Sequence, residues 1–209
     1  MTIKAVIWDL GGVLLRTIDG SGREHWAKRI GITRQELEEI VFSSKASLLA
    51  QSGEISDVEH WEFVGQKLGL PPDELVDFES DFWNGDRLDM DLIEFIQGLH
   101  PRYKTGLLSN NFHWLRSAIA KDWKIEASFD SIIISSEVHL LKPDPRIFWL
   151  AVTQLNISPE EAIFIDDFPK NLFGAEKIGM QALRFYNSEQ VRSDLVKILN
   201  AQDMQRKPQ

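Results

Sequence analysis

The chain has 209 residues, enough for one large domain or for a core that carries a small insertion. It is 43% hydrophobic and 10% aromatic, so it can bury a sizeable core, which excludes a disordered chain. With no cysteine and a net charge of −9, it excludes disulfides, a thiol nucleophile and cysteine-held zinc, and argues against a general nucleic-acid surface.

The first element is a β-rich apolar run over 4–8, ended by an acid at Asp9. That run is too short for a signal peptide or a membrane span, so a soluble, cytoplasmic protein with no membrane partner is expected. Asp9-Leu10-Gly11-Gly12-Val13 follows. A carboxylate at the end of a buried strand costs free energy unless a cation compensates it. Gly11 and Gly12 permit a tight turn and a close approach of backbone N–H groups to an anion. The same five residues, taken singly, also fit a plain turn whose Asp bonds its own backbone.

From 18 to 85 only helical patterns occur, punctuated by Gly31, Gly53 and Gly69-Leu70-Pro71-Pro72. Val58, Trp61, Val64 and Leu68 form an apolar stripe there. The expected organisation is an α/β core over 1–17 and 86–209, with a helical cap over 18–85. An insert after the first strand sits over the carboxyl end of the sheet, where α/β proteins bind ligands. Trp26, Trp61 and Trp83 fall in it, as core residues or with one or two lining a substrate pocket.

Beyond the insert, helical and strand patterns alternate: helix 89–99, strand 103–108, helix 111–121, strand 131–135, helix 146–155, strand 162–165 and strand 182–186. Ser158-Pro159-Glu160-Glu161 reads as a capping box opening a short helical turn. This order predicts a doubly wound, mostly parallel sheet with right-handed crossovers. The polar tail 203–209 is expected to fray.

Three further segments carry chemistry. Ser109-Asn110-Asn111 offers a hydroxyl and amide donors at a strand end, or equally a helix N-cap. Lys142-Pro143-Asp144-Pro145 fixes an ammonium between a strand and a helix, where it can pair with a carboxylate and a phosphate oxygen. Asp166 and Asp167 are adjacent, and neighbours in a strand face opposite ways. A turn starting there lets one of them ligate a cation while the other assists, and hard oxygen ligands favour Mg²⁺. The histidines show no metal-ligand spacing, and there is no G-x-S-x-G, Walker or G-x-G-x-x-G motif.

In order and context these segments resemble the signature motifs of the haloacid dehalogenase-like hydrolase superfamily. The nearest likeness is to the small phosphatases that include the glucose-1-phosphate phosphatase-like proteins and the phosphatase domain of soluble epoxide hydrolase. The resemblance spans essentially the whole chain, including Gly53-Glu54-Ile55-Ser56 and the run from Asn171-Leu172-Phe173-Gly174-Ala175 to Gly179-Met180. It implies a Rossmann-like core with a mobile helical cap. Asp9 is then the nucleophile that forms an aspartyl-phosphate. Mg²⁺ is held by Asp9, the Gly11 carbonyl and Asp167, with Asp166 and Asn171 as outer support. Ser109 and the Asn110 backbone hold the phosphoryl oxygens beside Gly11 and Gly12, and Lys142 stabilises Asp9 and the developing charge.

The implied activity is Mg²⁺-dependent hydrolysis of a small phosphorylated metabolite, a sugar phosphate or acyl phosphate being favoured, by a monomer or homodimer. One departure matters. The phosphatases of the superfamily usually carry an Asp two residues after the nucleophile, as general acid and base, and here that residue is Gly11. Acyl, aryl and sugar 1-phosphates, whose leaving groups are better, suffer least from its loss. Glu54, His25 and Asp19 are candidates to replace it. Two other readings compete: a catalytically weak or inactive binding protein of the same fold, and a 2-haloacid dehalogenase, against which the Asp166–Asp167 pair speaks.

Overall fold

β1 (Ala5–Trp8) is four buried apolar residues, the pattern of a strand covered on both faces. The structure, a computed structural model, describes residues 2–205. After β1 the chain forms β2 (Leu15–Thr17), then five helices in succession: α1 (Ser21–Ile30), α2 (Arg34–Ser43), α3 (Lys45–Gln51), α4 (Asp57–Leu68) and α5 (Pro72–Trp83). β3 (Asp86–Leu88) then pairs antiparallel with β2, Thr17 facing Asp86 and Leu15 facing Leu88. This two-stranded ribbon brackets the helical segment. Its strands are three residues each and mix charged with apolar side chains, so no alternation announced them.

The remaining chain is α6 (Met90–Gln97), β4 (Lys104–Ser109), α7 (Trp114–Ser117) running into a π-helical turn (Ala118–Asp122), β5 (Ser131–Ile134) and α8 (Ser135–Val138). It continues with α9 (Pro145–Gln154), a 3-10 turn (Pro159–Glu161), β6 (Ala162–Asp166), α10 (Pro169–Glu176), β7 (Gln181–Arg184) and α11 (Ser188–Gln205). The capping box expected at Ser158 and Glu161 is formed. The first residues of the tail expected to fray belong to α11, and 206–209 lie outside the described residues.

β1 is the middle of a five-stranded sheet in the order β5–β4–β1–β6–β7, every pair parallel. The doubly wound architecture expected from the alternation is therefore present. Alternate residues of β1 feed two cores: Val6 and Trp8 pack with Ile93, Leu107 and Leu195, while Ala5 and Ile7 pack with Leu108, Phe148 and Phe164. A third core lies within the helical segment, around Trp26, Leu37, Val41, Trp61, Phe78 and Phe82. Val58, expected in its apolar stripe, is instead 67% exposed, because it sits in the first turn of α4 before that face meets the core. No helix among the described residues is long and apolar enough to cross a membrane.

Helix 111–121 starts three residues later than expected. Asn111 Oδ1 accepts from Phe112 N at 2.8 Å, which holds a loop, and the helix begins only at Trp114. The helical segment meets the core here. Asp57 accepts from His113 N at 3.1 Å and Trp114 N at 2.8 Å, Ser135 Oγ donates to the Gln51 carbonyl at 2.6 Å, and the His60 ring stacks on Phe112 at 4.6 Å.

Candidate active site

The register of the sheet brings the acids together. Trp8 lies opposite Leu107 on one side and Ile165 on the other, so the next residues, Asp9 and Asp166, leave adjacent strands at one level. Their carboxyl ends lie where the strand order reverses, the usual ligand crevice of such sheets. Asp9 Oδ1 accepts from Leu10 N at 2.7 Å and from Lys142 Nζ at 2.7 Å. Asp166 Oδ2 accepts from the same ammonium at 2.8 Å, and its Oδ1 accepts from Phe168 N at 2.7 Å. Asn171 Nδ2 donates to both Asp166 oxygens, at 3.2 and 3.0 Å.

β6 stops at Asp166, and the turn carries the half-buried Asp167 back to the same place. Carboxylate oxygens of Asp9, Asp166 and Asp167 all lie within 4.8 Å of one another. Gly12 makes room for this. It has φ +79°, and a Cβ there would stand 2.4 Å from Asp167 Oδ2.

Three carboxylates thus face one ammonium, leaving an excess of negative charge in a poorly solvated place. Burial pushes the Asp9 carboxyl up to about 7 against the pull of Lys142, and the Asp166 charge pushes the same way. Asp167 is raised for the same two reasons, burial first. Burial alone would lower Lys142, but Asp9 and Asp166 hold it above its ordinary value, so it stays charged. A cluster of hard oxygen donors with uncompensated charge, beside a glycine cradle, fits a divalent cation.

Asn110 is used in a way the sequence did not reveal. Its Oδ1 accepts from Lys142 N at 2.8 Å and its Nδ2 donates to the Lys142 carbonyl at 3.0 Å, so its side chain grips the lysine's backbone. Ser109 ends β4, 1% exposed, one residue past Leu108, which is level with Asp9. Gly11, Gly12, Asn110 and Asp167 line one chamber of about 650 Å³ between the core and the helical segment. Ser109 precedes Asn110 at the end of β4, and Asp9, Gly11, Gly12, Asn110, Lys142, Asp166, Asp167 and Asn171 lie in this cluster or in the chamber wall.

The proton-donor candidates do not. His25 and Asp19 line a separate cavity with Ser21 and Asp81, and Glu54 accepts from Ser52 Oγ at 2.8 Å outside the chamber wall. What lines the chamber instead is an aromatic set, Phe42, Trp83, Phe112, Trp114 and Phe168, and a clamped arginine. Arg23 donates to both Asp86 oxygens at 2.8 Å, to Glu38 Oε1 at 3.0 Å and to the Phe82 carbonyl at 3.0 Å. Of the tryptophans in the insert, Trp83 lines the chamber while Trp26 and Trp61 are core.

The profile of the haloacid dehalogenase-like hydrolases matches residues 3–179. The chain belongs to this family. Among its relatives, the sesquiterpene phosphatase astK of Aspergillus oryzae is 26% identical over 90% of this chain and 92% of its own length. The D-ribitol-5-phosphate phosphatase of Bacteroides thetaiotaomicron is 24% identical over 95% of this chain and 100% of its own. With the acyl-CoA dehydrogenase family member 10 of Mus musculus the chain shares 36% identity over 46% of its length, spanning 9% of that protein. A solved haloacid dehalogenase family enzyme from Bacteroides thetaiotaomicron, in complex with magnesium and inorganic phosphate, superposes with a TM-score of 0.72 at 26% identity, over 88% of this chain and 94% of that one. In this haloacid dehalogenase-like hydrolase, Asp9, Lys142 and the Asp166–Asp167 pair, from three of the four segments singled out in the sequence, meet at one point.

Proposed function

We propose that this hydrolase is a Mg²⁺-dependent phosphomonoester phosphatase that works through an aspartyl-phosphate on Asp9. The observation that carries the reading is the single ammonium of Lys142 bridging Asp9 and Asp166 with Asp167 alongside. Phosphatases among the relatives, and magnesium with phosphate in a similar enzyme, support it. Asp9, the Gly11 carbonyl and Asp167 would hold Mg²⁺, with Asp166 and Asn171 outside them, and the ion would neutralise phosphate charge.

The chain's own groups do the rest. Lys142 and Leu10 N tie down Asp9 Oδ1, which leaves Oδ2 to attack phosphorus. The Oδ2–P bond forms as the ester P–O bond breaks, and the leaving oxygen departs with its electron pair. Water then attacks phosphorus, releasing inorganic phosphate and restoring the carboxylate. Ser109 and the Asn110 backbone N–H bind the phosphoryl oxygens, since the Asn110 side chain is already committed to Lys142. Such chemistry is mostly positioning and charge stabilisation. The helical segment 18–85 acts as a cap that closes the chamber against water.

The substrate is a small phosphorylated metabolite whose leaving group departs without protonation: an acyl, aryl or sugar 1-phosphate. The haloacid dehalogenase reading is opposed by the third carboxylate, which serves no purpose in displacing a halide. The test is hydrolysis of p-nitrophenyl phosphate by wild type and Asp9→Asn, each with Mg²⁺ and with EDTA. Turnover that needs both Asp9 and Mg²⁺ is expected. A folded, Mg²⁺-loaded protein without turnover overturns the reading.

A further inference from the structure

The wall of the chamber facing the carboxylates is aromatic. Phe42 and Trp83 come from the helical segment, Phe112 from the loop after β4, Trp114 from the start of α7, and Phe168 from beside Asp167. Trp83 lies 5.7 Å from Phe42 and 5.5 Å from Trp114, ring centre to ring centre, so these three form one continuous apolar surface.

Most polar side chains on the same wall are already bonded to protein, and Asn111 has its Oδ1 taken by Phe112 N. Arg23, Asp86 and Glu38 bind one another, and Thr17 Oγ1 donates to Asp86 at 2.6 Å. Arg16 donates to Ser188 and Asp89, and Gln51 donates to the Phe42 carbonyl and Ser47. A polyol ring entering this space would shed water from its hydroxyls and find few partners, at roughly 1–3 kcal/mol for each one left unpaired. The aromatic rings of the wall, by contrast, pack against one another and present apolar surface with no hydroxyl to satisfy.

A second observation is independent of the first. Among the described residues no histidine or tyrosine lines the chamber, and its carboxyls are either in the Asp9 cluster or bound to Arg23. With the Asp9-cluster carboxyls committed to the phosphoryl group and the cation in the proposed mechanism, and the other two bound to Arg23, the leaving oxygen has no dedicated proton donor and departs as the anion. A phenolate, with a parent pKa near 10 on the tyrosine scale, leaves far more readily than an alkoxide about as basic as hydroxide. An arene attached directly to the ester oxygen answers both observations, because it supplies a flat apolar face and a stable leaving anion.

We propose that the substrate class is an aryl phosphate monoester, its ring held against Phe42, Trp83 and Trp114. This rests on the phosphatase reading and narrows it. In the reaction Asp9 Oδ2 takes the phosphoryl group, the aryl C–O bond stays intact, and the phenolate carries away the electron pair and is protonated by water.

The test compares phenyl phosphate with benzyl phosphate, which carries the same ring on an alkyl oxygen, and with glucose 6-phosphate. It also compares inhibition by naphthylmethylphosphonate and methylphosphonate, neither of which can be hydrolysed. Expected are a kcat/KM for phenyl phosphate at least 100-fold above the other two esters, and naphthylmethylphosphonate binding at least tenfold tighter than methylphosphonate. Trp83→Ala and Phe42→Leu should each shrink that inhibition ratio. Equal turnover of phenyl and benzyl phosphates, or equal inhibition by the two phosphonates, overturns the aryl proposal alone if p-nitrophenyl phosphate is still hydrolysed with Asp9 and Mg²⁺. Absence of that hydrolysis overturns both readings together.

Discussion

Asp57, the first residue of α4, caps a helix in another part of the chain: its Oδ2 accepts from Trp114 N at 2.8 Å and its Oδ1 from His113 N at 3.1 Å. The helix that begins at Trp114 has no cap of its own, so a residue of the helical segment satisfies its first N–H groups. The same contact fixes Trp114 in the chamber wall. Asp57→Ala should cost about 1 kcal/mol of stability, the usual worth of such a cap. It should also raise KM more than it lowers kcat, because the wall loosens while Asp9 and Lys142 stay in place. Thermal unfolding and steady-state kinetics on p-nitrophenyl phosphate check both parts.

Asp9 and Lys142 make an opposed pair of predictions. The metal-free site holds three carboxylates against one ammonium, so Asp9→Asn removes charge repulsion and should raise the melting temperature of the apo protein while abolishing turnover. Lys142→Met leaves the carboxylates buried and unpaired, a loss of roughly 3–5 kcal/mol. The double variant should recover part of that loss, a coupling that a double-mutant cycle of unfolding free energies measures directly.

Gly12 was readable as a turn residue, but the reason for it lies across the site. A Cβ at its φ of +79° would stand 2.4 Å from Asp167 Oδ2, so Gly12→Ala must displace the Asp167 carboxylate from its present place in the cluster. The expected result is a Mg²⁺ requirement raised at least tenfold with a smaller effect on kcat at saturating metal. Titration of activity against Mg²⁺ would show an unchanged midpoint if the two residues are independent.

His60 gives the chain a pH dependence away from the metal cluster. Its ring is buried, Nε2 donates to the Val41 carbonyl at 3.0 Å, and Nδ1 has no partner. Burial lowers its pKa below the ordinary 6.5, although the Val41 bond and the nearby Asp57 charge pull the other way. With the folded value depressed, stability is complete above the unfolded pKa and falls as pH drops through about 6.5 and below. His60→Gln should flatten the difference in melting temperature between pH 7.5 and 5.5.

Asp9 and Asp166–Asp167 were legible because each ends an apolar run that marks a strand, and strand ends converge in a parallel sheet, while Lys142 was legible from the prolines just after it, the second of which opens α9. Other features depend on partners far off in sequence. Asn110 meets Lys142 across 32 positions, and Arg23 meets Asp86 across 63. No local pattern encodes such a meeting. That His25, Asp19 and Glu54 do not line the chamber was hidden for a related reason. Which face of α1, or of the loop before α4, looks into the chamber is set by packing against Trp26 and Phe78, not by residue type. The aromatic wall was half visible, as tryptophans whose destination the sequence could not choose.

Gly11 offers a gain-of-function prediction. A Cβ at this position meets no atom within 4 Å, and unlike Gly12 it has no left-handed backbone to forbid a side chain. An aspartate there would extend into the chamber that Gly11 lines, where a proton donor is otherwise lacking. General acid catalysis is worth about 10²–10⁴ in rate, and a newly placed group should reach the lower end. Gly11→Asp is therefore expected to raise kcat for benzyl phosphate by about a hundredfold and to leave phenyl phosphate nearly unchanged. The two rates should converge, and the benzyl reaction should gain a basic limb in its pH profile as the new acid loses its proton. An unchanged ratio of the two rates would mean that leaving-group protonation is not what limits this enzyme on alkyl esters.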